Sequence, residues 1–260
     1  MNRLQSLFKQ KNKDILSVYF TAGFPQLDNT VTILAELEKQ GVDMAEIGIP
    51  FSDPMADGMV IQQSSQKALD NGMTLRLLFN QLKNIRDTVN IPLIMMGYLN
   101  PIMQYGFEAF CKSCRETGVD GLIVPDLPFN EYVSEFKPVA DKYGISVVML
   151  ITPQTSEERV RLIEAHTDSF IYMVSSASTT GAQSSFGEEK QAYFRRIHDM
   201  KLKNPQLIGF GISNPETLQA AFKNANGGIV GSQFIKELQQ LPGDIAGAVT
   251  GLRTKLGLNR

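Results

Sequence analysis

Glu46 is the one charged residue in an otherwise apolar run, Met44-Ala45-Glu46-Ile47-Gly48-Ile49. A short run of this kind reads as a strand, and period-two alternation puts Met44, Glu46 and Gly48 on one face and Ala45, Ile47 and Ile49 on the other. The branched apolar set suits a face covered by helices, which turns Glu46 towards the interior. A buried carboxyl is costly unless bonded, and burial lifts its pKa into the range useful for proton transfer. The plainer alternative is a structural Glu tied to polar neighbours. The loop that follows, Pro50-Phe51-Ser52-Asp53-Pro54-Met55-Ala56-Asp57-Gly58, offers Asp53 and Asp57. Either can be an ordinary turn or cap residue or a second working carboxylate, and the loop alone leaves that open.

A second chemistry is written in glycines. Gly209-Phe210-Gly211 leads into Ser213 and Pro215, Gly231-Ser232 opens a helical segment, and Gly181 stands in a loop rich in Ser and Thr. Glycine lets backbone N–H groups approach an anion, and a helix N-terminus adds partial positive charge. Any one of these is also simply a tight turn; their joint placement favours a phosphate cradle made of backbone, with no basic side chain of its own. No Lys falls at a strand end, which argues against a Schiff-base mechanism. The two histidines, His166 and His198, fall at a helix end and in a charged helix, and neither a dinucleotide fingerprint nor a Walker loop is present. Acid–base work is left to Glu and Asp. Cys111 and Cys114 share a helical stripe with Phe107 and Phe110, so they read as core and not as a redox pair or half a metal site.

These residues need a scaffold. Short apolar, β-branched runs alternate with longer amphipathic segments: Leu16–Thr21, Met44–Ile49, Pro92–Met96, Gly121–Val124, Ser146–Ile151, Ser169–Val174, Leu207–Phe210 and Gly228–Val230. Near-continuous apolar character is what parallel strands buried on both sides show. Asp28 or Asn29, Thr155 with Glu158, and Ser213 with Glu216 have the spacing of helix N-caps, and Gly41-Val42-Asp43 is echoed by Gly118-Val119-Asp120. Eight βα units fit an α/β fold of the (βα)8 TIM-barrel type, residues 1–260 forming a single catalytic domain; an open doubly wound sheet shares the same periodicity. Leu4, Leu7 and Phe8 mark an extra N-terminal helix closing the barrel floor. In such a barrel the chemistry belongs at the C-terminal ends of the strands.

A 43% hydrophobic share supports a substantial core, and a net charge of −2 argues against a general nucleic-acid or anionic-membrane binder. No apolar stretch approaches a membrane span and no signal-peptide pattern follows the basic N-terminal segment, so a cytoplasmic protein is expected.

The run from Glu46 to Gly58, continuing to Ile61-Gln62, resembles the alpha subunit family of tryptophan synthase. Thr21-Ala22-Gly23 with Pro25, Tyr98-Leu99-Asn100-Pro101, Pro125-Asp126-Leu127-Pro128 and Gly209-Phe210-Gly211-Ile212-Ser213 match it in order along nearly the whole chain. The resemblance implies a retro-aldol cleavage of indole-3-glycerol phosphate to indole and glyceraldehyde 3-phosphate, without cofactor or metal. It implies that Glu46 transfers the proton and that Asp57 attends the indole nitrogen. It also implies a phosphate held at Gly181, Gly211, Gly231 and Ser232, with Thr180 in a lid that reaches Asp57. Candidates for the indole wall are Tyr19, Met96, Tyr98, Ile123, Leu150, Tyr172 and Phe210. It further implies docking onto a beta subunit in an alpha2beta2 tetramer, through an apolar patch of Phe51, Pro54, Met55, Met59 and Pro101.

Two positions depart from the family pattern. Met59 stands where Pro is usual after Asp57-Gly58, and Ser178-Thr179-Thr180-Gly181 replaces Gly-Val-Thr-Gly. The alternatives are a free-standing indole-releasing lyase and a catalytically silent subunit that activates a beta partner.

Overall fold

The structure, a computed structural model, describes residues 1–175 and 187–258. Among them are nine parallel strands: β1 Ile15–Thr21, β2 Met44–Gly48, β3 Leu93–Met96, β4 Gly121–Ile123, β5 Ser146–Val148, β6 Leu150–Ile151, β7 Ile171–Val174, β8 Gln206–Gly209 and β9 Gly227–Val230. The order β5-β4-β3-β2-β1-β9-β8-β7-β6 makes a nearly closed TIM barrel. The run Ser146–Ile151, expected as one strand, is split at Met149: β5 pairs with β4, while β6 pairs with β7. Its two halves serve opposite neighbours, as a stave must where a twisted sheet closes. Helices lie outside, and a continuous hydrophobic cluster runs from Leu4 through the strands to Leu252. Cys111 and Cys114 are free thiols inside that cluster, and burial pushes the Cys111 thiol up to about 12.

The floor is built by the N-terminal helix Arg3–Gln10, as expected. Asn2 caps it reciprocally with Gln5, and the Asn2 amide also donates to Asp120 O and Ser146 Oγ at 2.9 and 3.0 Å. The repeated Gly-Val-Asp has a physical reason. Gly41 and Gly118 take positive φ (81° and 75°) to end their helices, and each following Asp then accepts the amide at the entrance of a strand. Asp43 takes Leu16 N at 2.8 Å and Asp120 takes Leu93 N at 3.1 Å. Each Asp is also paired with a cation, Lys11 for Asp43 and Arg86 for Asp120.

Three expected caps shift. Asp28 precedes helix Asn29–Lys39 without a side-chain cap bond. Ser156, not Thr155, accepts Arg159 N, because Thr155 is occupied by Thr152 N. Asn214, not Ser213, caps helix Pro215–Asn224 and forms its box with Thr217. In the last two cases the capping oxygen belongs to the residue one position further along.

Arg86 Nη2 meets the buried Asp120 at 2.7 Å. Removing one partner of a buried pair strands the other, so Arg86→Ala should lower unfolding stability by about 3 kcal/mol, measured by denaturant titration.

Candidate active site

Strand β2 delivers Glu46 to the barrel interior in register with Tyr19 of β1. Its carboxyl is fully buried; Ser17 Oγ donates to Oε1 at 2.8 Å, and Oε2 has no partner among the described residues. Burial dominates and pushes the Glu46 carboxyl up to about 8, against the opposing effect of the Ser17 hydrogen bond. At neutral pH this group is a protonated acid.

The glycines beside it are matters of space. A Cβ at Gly48 would collide with the Tyr19 hydroxyl, and one at Gly209 with the Tyr172 hydroxyl. Both tyrosines therefore lean over strand glycines into the barrel, and burial, the largest cause, holds their hydroxyls well above the usual tyrosine range. Phe210 has φ 69°, in the left-handed region that a non-glycine residue enters at a cost of about 1 kcal/mol. Ser175 holds it there: its amide donates to Gly209 O at 3.1 Å and its hydroxyl to Phe210 O at 2.6 Å. The result sets the Phe210 ring edge-on to Tyr172, centroids 6.1 Å apart.

Asp57 comes from the loop after β2. The Tyr98 hydroxyl donates to Asp57 Oδ2 at 3.0 Å and accepts Ala56 N at 2.9 Å. Burial raises the Asp57 pKa, and the Tyr98 bond works against that rise. Tyr98, expected as pocket wall, thus stands behind Asp57 and is absent from the cavity lining, as are Ile123 and Leu150. Met59 takes the first position of helix Met59–Asp70, after Gly58 as N-cap. A proline fits that position equally well, so the helix start survives the departure from the family pattern.

One cavity of about 200 Å³ gathers Tyr19, Glu46, Asp57, Met96, Tyr172, Phe210, Gly211, Gly231 and Ser232. The two carboxyl groups border it, and so do two helix starts: helix Ser232–Gln240 begins at Gly231, and helix Pro215–Asn224 begins just after Ile212 and Ser213, which also line the cavity. Helix starts turn amide hydrogens and partial positive charge towards the space before them. Thr180 and Gly181 lie outside the described residues, as does most of the expected lid. The reading of a cradle without basic side chains is corrected: half-buried Lys236, one turn into helix Ser232–Gln240, lines the cavity and makes no ion pair among the described residues. It lies only one helical turn after Ser232, and the helical period that returns it to the same face was the signal that could have found it. Gln233, Ile229 and the Met59–Ile61 turn were likewise missed. Among the described residues no group of three His, Cys, Asp or Glu side chains is placed to hold a metal.

A buried carboxyl group, a second carboxyl and two helix starts within one small cavity are an arrangement suited to proton transfer beside a bound anion. The family model for the tryptophan synthase alpha chain matches residues 5–257. The tryptophan synthase alpha chain of Phocaeicola vulgatus is 61% identical over 244 residues, 94% of this chain and 95% of that one. That of Bacteroides thetaiotaomicron is 61% identical over 240 residues, 92% of this chain and 94% of the relative. The chain belongs to the tryptophan synthase alpha chain family. A crystal structure of the alpha chain from Legionella pneumophila superposes with TM-score 0.86 at 34% identity, covering 99% of this chain and 95% of that one. The family catalyses the alpha reaction of tryptophan biosynthesis, cleaving indole-3-glycerol phosphate to indole and glyceraldehyde 3-phosphate, and so is a family of lyases.

The raised Glu46 pKa has a stability consequence. Because the folded value, about 8, exceeds the unfolded 4.5, the neutral acid is tolerated below the unfolded value, and stability drains away as pH rises through the folded one. Glu46→Gln cannot ionise. Its stability relative to the native chain should therefore climb by about 3 kcal/mol from mildly acidic to mildly alkaline pH, an order-of-magnitude shift to be read from paired denaturant titrations.

Proposed function

We propose that Glu46 and Asp57 carry the alpha reaction in this chain, with residues 1–260 acting as one catalytic domain. The observation that supports this most is that both carboxyl groups and two helix starts border the same cavity. The phosphate would lie against Gly211, Gly231 and Ser232, with Gly181 and Thr180 completing the cradle and lid. The indole would lie among Tyr19, Tyr172, Phe210 and Met96. Neutral Glu46 then donates its proton to indole C3. The ring becomes an iminium cation whose N–H is accepted, and whose charge is balanced, by ionised Asp57. Glu46, now a carboxylate, removes the proton from the side-chain hydroxyl on the carbon attached to C3. That carbon becomes the aldehyde of glyceraldehyde 3-phosphate, the bond to C3 breaks, and its electron pair restores the neutral indole. One residue serves first as acid and then as base.

The family implies a beta-subunit partner. We infer docking at the barrel mouth in an alpha2beta2 assembly in the cytoplasm. Exposed Met55 and Met59, on the loop and helix start that flank Asp57, favour this, since large apolar groups left in water mark contact surfaces. Phe51 is not part of that patch in the same way, because it packs on Tyr98 with centroids 5.4 Å apart.

Indole release from indole-3-glycerol phosphate, followed with and without a matching beta subunit, is the test. Glu46→Gln should lose at least about a hundredfold in turnover, and the partner should raise native activity roughly tenfold. Near-normal turnover of a folded Glu46→Gln variant would remove the assignment; full activity without any gain on mixing would favour a free-standing lyase. The pH profile should be a bell. The acid limb belongs to Asp57, which must be ionised, and the alkaline limb, near pH 8, to Glu46, which must be protonated. Tyr98→Phe removes the bond that lowers the Asp57 pKa and should move the acid limb to higher pH, read from kcat/KM against pH.

A further inference from the structure

Ser17 is not among the residues that border the cavity, yet its hydroxyl is the one hydrogen-bond partner of the Glu46 carboxyl among the described residues. It comes from β1, on the same inward face as Tyr19 but two residues nearer the floor. Tyr19 is in register with Glu46, and Ser17 with Met44, so the Ser17 hydroxyl reaches the carboxyl from the floor side. Both groups are fully buried, and the contact is 2.8 Å. We propose that Ser17 is a positioning residue: it holds the Glu46 carboxyl in one orientation and, by occupying Oε1, assigns the transferable proton to Oε2.

The chemistry is that of a neutral carboxylic acid, which has one carbonyl-type oxygen and one hydroxyl oxygen. A hydroxyl that donates to Oε1 makes Oε1 the accepting, carbonyl-type oxygen, so the acid hydrogen resides on Oε2. Oε2 is the oxygen with no partner, on a side chain that borders the cavity. After transfer, the same bond stabilises the carboxylate and stops the group from rotating before it takes the second proton. Without it the buried group would have no bonded oxygen, and the ionised form would be harder to reach.

No other described side chain is hydrogen-bonded to the Glu46 carboxyl. From the packed strands, Tyr19 of β1 and Tyr172 of β7 face Glu46 and are neutral there, while β3 places Ile94 and Met96 alongside. Asp57 and Lys236 are the charged groups that border the same cavity, and the Asp57 carboxylate accepts its hydrogen bond from the Tyr98 hydroxyl.

This inference rests on Glu46 as the proton-transferring group, and Glu46→Gln is the control for that. In the full chain with indole-3-glycerol phosphate, Ser17→Ala should lower kcat roughly tenfold near neutrality with KM changed less than about twofold. Its alkaline limb should move to higher pH, because the bond that favours the ionised carboxyl is gone. Ser17→Thr, which keeps a hydroxyl, should restore both. Infrared difference spectra against Glu46→Gln give a second readout without turnover. The C=O stretch of the protonated Glu46 should rise in frequency in Ser17→Ala, where the carbonyl oxygen loses its donor, and return in Ser17→Thr. A Ser17→Ala chain with native kcat and limb, or one slowed uniformly with limb and C=O band unmoved, overturns the positioning role. If Ser17→Ala does not fold, Ser17→Cys, with a weaker donor, must show an intermediate band and limb, or the proposal fails. If Glu46→Gln still releases indole, the acid–base reading of Glu46 falls first.

Discussion

A carboxyl group buried in hydrocarbon with a single hydrogen bond is the constraint around which this barrel is arranged. Glu46 would be a liability in an ordinary core, where a second acceptor oxygen without a donor costs about 1–3 kcal/mol. Here the same burial pushes the carboxyl up to about 8, which favours its protonated form at neutral pH, as a proton donor requires. The surroundings keep it so. Ile47 and Met44 on either side are fully buried, and the inward tyrosines close over the site with hydroxyls too hard to ionise to compete for the proton. The cost is carried by a continuous core that extends through the whole barrel.

The other half of the site is solved in a different currency. No charged side chain stands among Gly211, Gly231 and Ser232; helix starts supply the positive potential, with Lys236 set one turn back. Fixed backbone dipoles need no reorganisation when a dianion arrives, whereas a cluster of cations close to Glu46 would favour its ionised form and empty it of its proton. The cost falls on Phe210, whose left-handed backbone is retained by two bonds from Ser175.

Asp57 is positioned by weaker means. It sits on a loop, its carboxylate fixed by one tyrosine hydroxyl that also receives the neighbouring amide. A single Tyr98 therefore holds both the backbone and the side chain of the loop, and the adjoining Met55 and Met59 are exposed.

Much of this was legible in the chain alone. The strands were visible because parallel strands covered on both sides are apolar throughout, and Glu46 was visible because one charge in such a run has no other excuse. Glycines after β8 and β9 marked residues that border the cavity, and the motif from Glu46 to Gly58 marked the family. Other facts required the tertiary structure. The break at Met149 follows from ring closure, a property of all the strands together. The cap moved to Ser156 because the Thr155 oxygen already accepts Thr152 N. Tyr98 behind Asp57, Lys236 in the cradle and Ser17 beneath Glu46 are pairings across about 40, 5 and 29 positions of chain, as the contacts Tyr98–Asp57 and Ser17–Glu46 show for the long ones. Periodicity assigns a residue to a face, because that depends only on its own strand or helix. Which residue it meets on that face depends on register with a distant strand, and only the closed barrel fixes it.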